Sequence, residues 1–480
     1  MTSQHPGCVI VWFRRDLRVV DHPALHHAVA RAASIVPLFV VDERLMADET
    51  GAAARTWFLK RSLSELDREL RARGSGLLVR KGRPETIVPA VAAEVGADAV
   101  IASRDVTPFS YRRDVEVRVA LDRDGRRLIL KPGLLLAEPE ELLASSGAPY
   151  AVFTPFWRAL QRSARRRLLE PPARIPGHPV IPDRVDAVLA DVGPGGGRLP
   201  QQRSVPAPGE AAAQGRLREW ASAGVLAYGD GRNRLAGEAT SHLGADLHLG
   251  LLSPLHVEAA TKEAGDGATS FLRQLAWREF YHHRLFHVRG TGDRTPDSPF
   301  MSIFRSERDD PDAVAAWRAG CTGVPVVDAG MRQLAATAWL SNRARLVVAS
   351  FLTRHLLMDY RIGERHFMRH LIDGDVANNL GGWQWTAGVG ADPQPWFRIF
   401  NPVLQGQRFD PDGDWVRQWI PELVAVPTRY VHSPWEMDES VAAQANVRLG
   451  VDYPRPIVDL KFGRERALAA FRSAAKTRAG

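Results

Sequence analysis

The sequence predicts an α/β domain followed by an all-α domain, and three observations support this. Through residue 135, short apolar runs alternate with helix-like stretches. From residue 216 onward strand-like runs largely vanish, and apolar residues recur at helical spacing. Residues 136–215 are rich in Pro and Gly, which is typical of a connecting segment. We therefore expect an α/β domain over 1–135, an interdomain connector over 136–215 and a helical domain over 216–480.

Five apolar runs in the first part predict strands. They are compact, rich in β-branched residues and without polar alternation, as in a parallel sheet that is covered on both faces. The runs span residues 8–13, 35–41, 77–80, 99–103 and 127–131. The intervening stretches predict helices over 23–33, 54–73, 84–95 and 111–123. This alternation predicts a five-stranded, doubly wound parallel sheet.

Composition narrows the class of protein. The apolar fraction of 45% and the charged fraction of 25% are those of a soluble globular protein. No apolar run approaches the roughly 20 residues that cross a bilayer, and no secretory signal is evident, so we expect a cytoplasmic protein without a membrane partner. Cys8 and Cys321 are too few for a four-cysteine zinc or iron–sulfur site, and we expect no metal. The net charge of +8 weakly favours a polyanion such as nucleic acid.

Two loops follow strands at the carboxyl edge of the predicted sheet, where doubly wound folds bind ligands. Residues 12–18, WFRRDLR, follow the first strand, and Asp105 follows the fourth. No Gly-rich dinucleotide fingerprint accompanies them. For residues 12–18 taken alone, a solvated basic loop is the simpler interpretation.

Residues 373–385, DGDVANNLGGWQW, are the segment least suited to a hydrophobic core. They hold two carboxylates, three amides, three glycines and two indoles. Glycines allow a planar ligand to approach the backbone, and indoles offer stacking surfaces. Arg343 and Arg345 are candidate donors to the carboxylates. The segment predicts a ligand site, whereas WREFY over 277–281 by itself is typical of a core helix with a surface ion pair.

Read together, these segments resemble those of the photolyase/cryptochrome family. The likeness covers nearly the whole chain, in order and spacing, through VIVWFRRDLRVVDHPAL, WREFYHH, TGVPVVDAGMRQL, GERHFMRHLIDGDVANNLGGWQW and WFRIFNPVLQGQRFDPDG. The resemblance implies an α/β antenna domain and a helical domain that holds FAD in a bent conformation. It also implies a blue-light-driven lyase that repairs pyrimidine dimers in UV-damaged DNA. In that reaction, excited reduced flavin donates one electron to a lesion flipped out of the duplex.

The resemblance also implies roles for individual residues. The expected cofactor contacts are Tyr228, Thr240, Ser241, His242, Leu243, Gly244, Arg278, Arg345, Asp373, Gly374, Asp375 and Asn379, with Asn379 facing flavin N5. The expected lesion and DNA contacts are Gln274, Trp277, Arg278, Tyr281, Asn342, Arg343, Trp385 and Gln405. The expected catalytic and photoreduction residues are Asn379, Gln274, Trp383 and Tyr360. Asp105 matches a position of deazaflavin-binding members, which favours a deazaflavin antenna or none.

Several positions depart from the family pattern. Gln274 stands where bacterial dimer photolyases usually carry Glu, while Ser341 and Leu346 replace the usual His and Met. Tyr360 and Glu307 stand where the family has its second and third photoreduction tryptophans, so we expect slower or rerouted flavin photoreduction. A cryptochrome-type photoreceptor without repair activity and a (6-4) photolyase therefore stay open as alternatives. We expect a monomer.

Overall fold

The structure is a computed structural model that describes residues 7–46, 52–179, 185–190, 192, 205–237, 239–288 and 298–477. Part of the predicted connector, 136–215, lies outside these residues. The strands are β1 (Cys8–Phe13), β2 (Ser34–Val41), β3 (Leu78–Lys81), β4 (Ala99–Ser103) and β5 (Arg127–Lys131). They form one parallel sheet in the order β3-β2-β1-β4-β5. The predicted doubly wound sheet is confirmed, and every strand begins and ends within one residue of its prediction.

Helices cover both faces of this sheet, as its continuous apolar strands require. They are α1 (Pro23–Val29), α2 (Glu43–Met46), α3 (Ala53–Arg71), α4 (Pro84–Glu94) and α5 (Pro108–Arg123). Ile10 and Trp12 of β1 pack in one core with residues of α4 and α5. Val9 and Phe13 point to the other face, where α1, α3 and parts of the helical half meet. Helix α5 begins three residues before its prediction because the Thr107 side chain caps it.

The second half is helical, and beyond Lys131 the described residues add no strand to the sheet. Its helices are α6 (Phe153–Arg162), α7 (Val185–Ala190), α8 (Glu210–Ser222), α9 (Tyr228–Gly231), α10 (Gly244–Leu249), α11 (Pro254–Thr261), α12 (Gly265–His287), α13 (Pro311–Ala319), α14 (Pro325–Thr337), α15 (Asn342–Ser350), α16 (Tyr360–His370), α17 (Val376–Ala387), α18 (Pro402–Phe409), α19 (Asp414–Trp419), α20 (Glu439–Gln444) and α21 (Leu460–Thr477). The predicted fold class is confirmed. None of the described helices combines the length and apolar character needed to cross a membrane.

One long helical stretch in this half is interrupted. Apolar spacing extends over 342–358, yet α15 ends at Ser350 and a π-helical turn follows at Phe351–His355. Arg354 in this turn donates to the Thr386 carbonyl at 2.9 Å and lies 4.3 Å over the Phe471 ring. The wider turn therefore coincides with a tertiary contact that local spacing does not reveal.

The basic loop after β1 is buried, so the interpretation as a solvated loop is wrong. The Arg14 guanidinium donates to Asp114 at 2.5 Å, and the residue as a whole is 8% exposed. The Leu17 N–H donates to the Leu249 carbonyl at 3.1 Å, at the end of α10. Internal carboxylates and carbonyls satisfy these charges, and the loop docks the α/β half onto the helical half.

Candidate functional site

A cavity of about 460 Å³ lies in the helical half, mainly between α10, α12, α15 and α17. This volume is within the usual range for cofactor and ligand sites, about 300–1,000 Å³. The structure brings most of the sequence-predicted site residues to its wall. Those lining it are Tyr228, Thr240, Ser241, His242, Leu243, Gly244, Gln274, Trp277, Arg278, Tyr281, Asn342, Arg345, Asp373, Gly374, Asp375, Asn379, Trp383 and Trp385.

Three predicted residues of the helical half do not line the cavity. The Arg343 guanidinium donates to Gln405 Oε1 at 3.2 Å and lies 4.3 Å over the Phe409 ring. These two predicted DNA contacts are therefore neighbours of one another. Tyr360 is fully buried, and its hydroxyl accepts a hydrogen bond from Gln384 Nε2 at 3.3 Å.

The acidic part of the cavity wall precedes and caps α17. Asp373 accepts hydrogen bonds from Arg345 Nη2 at 2.8 and 3.0 Å. Asp375 caps the helix by accepting from the Asn378 N–H at 2.9 Å. Burial alone would raise the pKa of Asp375, but the nearby charges of His282 and Arg15 outweigh it and hold that pKa well below its usual range. The site therefore presents a buried carboxylate that stays ionised.

Hydroxyl groups line another part of the wall. Thr240 Oγ1 is buried and has no hydrogen-bond partner among the described residues. Ser241 Oγ accepts a long hydrogen bond of 3.4 Å from the Leu243 N–H. A buried hydroxyl left without a partner is costly, so this wall suits a polar ligand group such as a phosphate.

Asn379 presents one defined polar atom to the cavity. Its Nδ2 donates to the Glu364 carbonyl at 2.9 Å and to Glu364 Oε1 at 3.2 Å. With both donor hydrogens engaged, the acceptor Oδ1 remains for a ligand. The side chain can thus accept a hydrogen bond from a ring N–H.

Two glycines of α17 shape the space around this amide. Gly382 lines the cavity, and a Cβ at this position would meet nothing within 4 Å. Gly381 instead faces α12, where a Cβ would come within 2.2 Å of the Tyr281 ring. One glycine keeps room beside a flat ligand, and the other lets α12 and α17 approach closely.

Aromatic side chains form a further wall. Trp277 stacks on Phe153 with ring centroids 3.9 Å apart and planes 5° apart, and Tyr281 lies 5.4 Å away on the same helix. Trp383 is 3% exposed, with its ring 5.0 Å from Phe367 and 6.1 Å from Trp317. Sequence reasoning missed Phe153, because nothing in its local pattern links it to a tryptophan 124 positions away.

The residues that depart from the family pattern lie in different parts of the structure. Gln274, Ser341 and Leu346 all line the cavity, and Ser341 also caps α15 by accepting from the Ala344 N–H at 3.3 Å. Glu307 lies away from it, paired with Arg318 at 2.6 Å.

Asp105, the predicted antenna residue, lies at the sheet edge with its carboxylate turned inward. It accepts hydrogen bonds from the Val106 N–H at 2.6 Å and from Ser110 Oγ at 2.9 Å. Burial would raise the pKa of Asp105, but arginines led by Arg15 lower it to about 2. The space lined by Asp105 and Arg15 is only about 10 Å³, which is room for one water at most. Among the described residues, no group of three or more His, Cys, Asp or Glu could hold a metal ion.

The α/β half is docked on a helical half, and the cavity of the helical half is lined by carboxylate, amide, hydroxyl and aromatic groups. This arrangement defines a protein that binds a large, flat, polar cofactor. Residues 9–176 match the family described as DNA photolyase, and residues 271–473 match the FAD binding domain of DNA photolyase. The chain is 40% identical to the deoxyribodipyrimidine photo-lyase of Agrobacterium fabrum over 98% of both proteins.

Two solved structures extend this likeness. The crystal structure of a bacterial class III photolyase from Agrobacterium tumefaciens matches with a TM-score of 0.90 at 38% identity, over 99% of each chain. The cryptochrome of Synechocystis sp. PCC6803 matches with a TM-score of 0.85 at 30% identity, over 97% of this chain and 99% of that one. The chain belongs to the DNA photolyase family, and FAD is its cofactor.

Proposed function

We propose that this protein is a blue-light-driven lyase that reverses pyrimidine dimers in UV-damaged DNA. The observation that carries the proposal is that the predicted cofactor residues and most of the predicted lesion and DNA contacts line one cavity. The relative from Agrobacterium fabrum carries the name of this activity. Electron transfer from a flavin to a lesion requires both groups to be held close together, and a shared cavity provides this.

The cofactor part of the site fits FAD. Reduced FAD, when bound, supplies the light-excited electron donor. Thr240 and Ser241 offer hydroxyls to a phosphate, and the ionised Asp375 accepts from a donor on the ring. Asn379 Oδ1 is available to accept from the flavin N5–H. The protein thus positions the cofactor and fixes its hydrogen bonds.

The aromatic wall fits a lesion. A pyrimidine dimer stacks poorly in the duplex and is therefore cheap to flip out. Trp277 is held rigidly by Phe153, so it offers a stacking surface at low entropic cost. Gln274, on the same helix, offers an amide that both donates and accepts hydrogen bonds.

The DNA backbone contacts that we propose are Asn342, Arg343 and Gln405. Arg343 is held in place by Asn233 Oδ1 at 2.8 Å as well as by Gln405. A positioned guanidinium fits a phosphate oxygen and contributes affinity without sequence preference. This suits an enzyme that must find a lesion in any sequence.

The deciding experiment uses purified, reduced protein and oligonucleotides that carry either a cyclobutane dimer or a (6-4) product. Each is incubated under blue light and in darkness, and reversal is followed by chromatography. Light-dependent reversal of the cyclobutane dimer is expected. Reversal of the (6-4) product alone would reassign the substrate.

A cryptochrome-type photoreceptor is the second candidate function. It is favoured by Gln274, Ser341 and Leu346, which change the cavity wall where dimer photolyases usually carry Glu, His and Met. Binding of lesion DNA without reversal of either product would support it over the lyase.

We further propose an antenna domain over 1–135, a connector over 136–215 and an FAD-binding domain over 216–480, in a monomer that works in the cytoplasm. The proposed antenna is a deazaflavin near Asp105, and a protein without one is the alternative. Absorption spectra of the extracted chromophores distinguish these two cases, and light scattering measures the oligomeric state.

A further inference from the structure

Two arginines of the α/β half reach the acidic part of the cavity wall, here called the acidic loop (residues 371–375). Arg15 follows β1, and its Nη2 pairs with Asp375 Oδ2 while its Nε donates to the His248 carbonyl at 3.2 Å. Arg55 lies on α3, and its Nη1 donates to the Leu371 carbonyl at 2.7 Å. Both arginines therefore contact the helical half beside the predicted FAD contacts.

The backbone of the loop that carries Arg15 passes very close to Gly250. Gly250, just after α10, has a positive φ of 66°. A Cβ on Gly250 would lie 2.1 Å from the Arg15 carbonyl oxygen, so only glycine permits the loop after β1 to pass over the end of α10. The Arg18 guanidinium donates to the Gly250 carbonyl at 3.0 Å and fixes the same crossing.

The electrostatics make Arg15 important to Asp375. Asp375 is 5% exposed, and Arg15 is the one Lys or Arg side chain that forms an ion pair with it among the described residues. His282 Nε2 lies 3.4 Å and His248 Nδ1 lies 3.9 Å from the same carboxylate oxygen. Burial lowers the pKa of His248 to about 4, so this ring is uncharged at neutral pH. Losing Arg15 would leave this buried carboxylate without an ion pair to a Lys or Arg of the described residues.

Arg55 acts on the backbone of the same segment. Its Nη1 also donates to the Met368 carbonyl at 2.7 Å, near the end of α16. Burial lowers the pKa of Arg55 to about 10, so the side chain remains charged at neutral pH. A charged donor to both the Met368 and the Leu371 carbonyls fixes the point at which the chain leaves α16 and enters the acidic loop.

We propose that the α/β half forms part of the FAD site, with Arg15 as the positioning residue for Asp375 and Arg55 as the positioning residue for the acidic loop. The inference rests on the proposed placement of FAD against Asp375. The α/β half then does more than carry an antenna, because it sets how tightly the helical half holds FAD.

The test measures the Kd of FAD for the full-length apoprotein by quenching of flavin fluorescence, together with the visible absorption band of bound flavin. Arg15→Gln is expected to weaken FAD binding on the order of tenfold or more and to shift the band, because a buried carboxylate loses its cation. Arg15→Lys, which keeps the charge, is expected to restore part of the affinity. Arg44→Gln is the matched control, since Arg44 pairs with Asp42 and Glu85 inside the α/β half.

A double-mutant cycle separates positioning from general destabilisation. If Arg15 acts through Asp375, Arg15→Gln has little further effect on the Kd in an Asp375→Asn background. Equal weakening in both backgrounds, or an unchanged Kd in Arg15→Gln, would overturn the inference. Should Arg15→Gln not fold, Arg15→Lys and Arg55→Lys take its place; wild-type FAD affinity in both would equally overturn it.

The same cycle tests the placement of FAD on its own. An unchanged Kd in Asp375→Asn alone would show that FAD does not contact this residue. A weakened Kd in Asp375→Asn with no change in Arg15→Gln would keep the placement and reject the role of Arg15.

Discussion

Replacing Asn379 by Leu is expected to lower the reduction potential of bound FAD. The structure ties the Asn379 donor hydrogens to Glu364, so Oδ1 is the atom that can accept from N5–H, which only the reduced flavin carries. Leucine has nearly the same shape but no acceptor. A neutral hydrogen bond contributes roughly 0.5–1.5 kcal/mol. About 1.4 kcal/mol corresponds to about 30 mV for a two-electron couple, so the expected fall is about 10–30 mV.

The assay is an anaerobic redox titration of the FAD-loaded protein against a reference dye. Gln384→Leu is the control, because Gln384 lies on the same helix but donates to the Tyr360 hydroxyl and does not line the cavity. Its potential is expected to equal that of the wild type. An unchanged or raised potential in Asn379→Leu, with full FAD content, would refute the hydrogen-bond assignment.

Three further variants test other parts of the site. Gln274→Glu is expected to raise light-driven turnover of cyclobutane dimers if Gln274 only weakens the contact of the pocket with the dimer. A loss of turnover would show that Gln matches another substrate. Tyr360→Trp combined with Glu307→Trp is expected to speed flavin photoreduction, measured as the rate of flavin reduction under illumination. An unchanged rate would mean that electrons use another route. Phe153→Leu removes the ring that stacks on Trp277. Because a stacked aromatic pair contributes about 0.5–1.5 kcal/mol, lesion binding measured by fluorescence anisotropy should weaken about two- to tenfold. Unchanged binding would contradict the stacking argument.

The fold was predictable because its strands are buried on both faces. A strand such as β1, with all six residues buried, reads as one apolar run, and its length follows directly. Helix ends were less predictable where a side-chain cap or a tertiary contact decides them. The start of α5 at Pro108 depends on the Thr107 cap, and the π-helical turn at Phe351–His355 lies where Arg354 meets the last helix.

The candidate site was partly predictable for a similar reason. Residues 373–385 are so unsuited to a core that their composition alone predicts a ligand site, and the segment does line the cavity. One partner of its carboxylates, Arg345, was predicted and donates to Asp373, but the partner of Asp375 was not predictable. Arg15 and Asp375 are 360 positions apart, and an arginine in a basic loop gives no local sign of which carboxylate it will meet.

The stacking of Phe153 has a consequence for the stretch that joins the two halves. Phe153 begins α6, its N–H donates to Asp392 Oδ2 at 3.1 Å, and its ring supports Trp277. These contacts therefore constrain the length of the connecting stretch. One residue inserted just before α6 would turn a different side chain toward the indole, so tolerance to insertion should fall sharply within a few positions of Phe153.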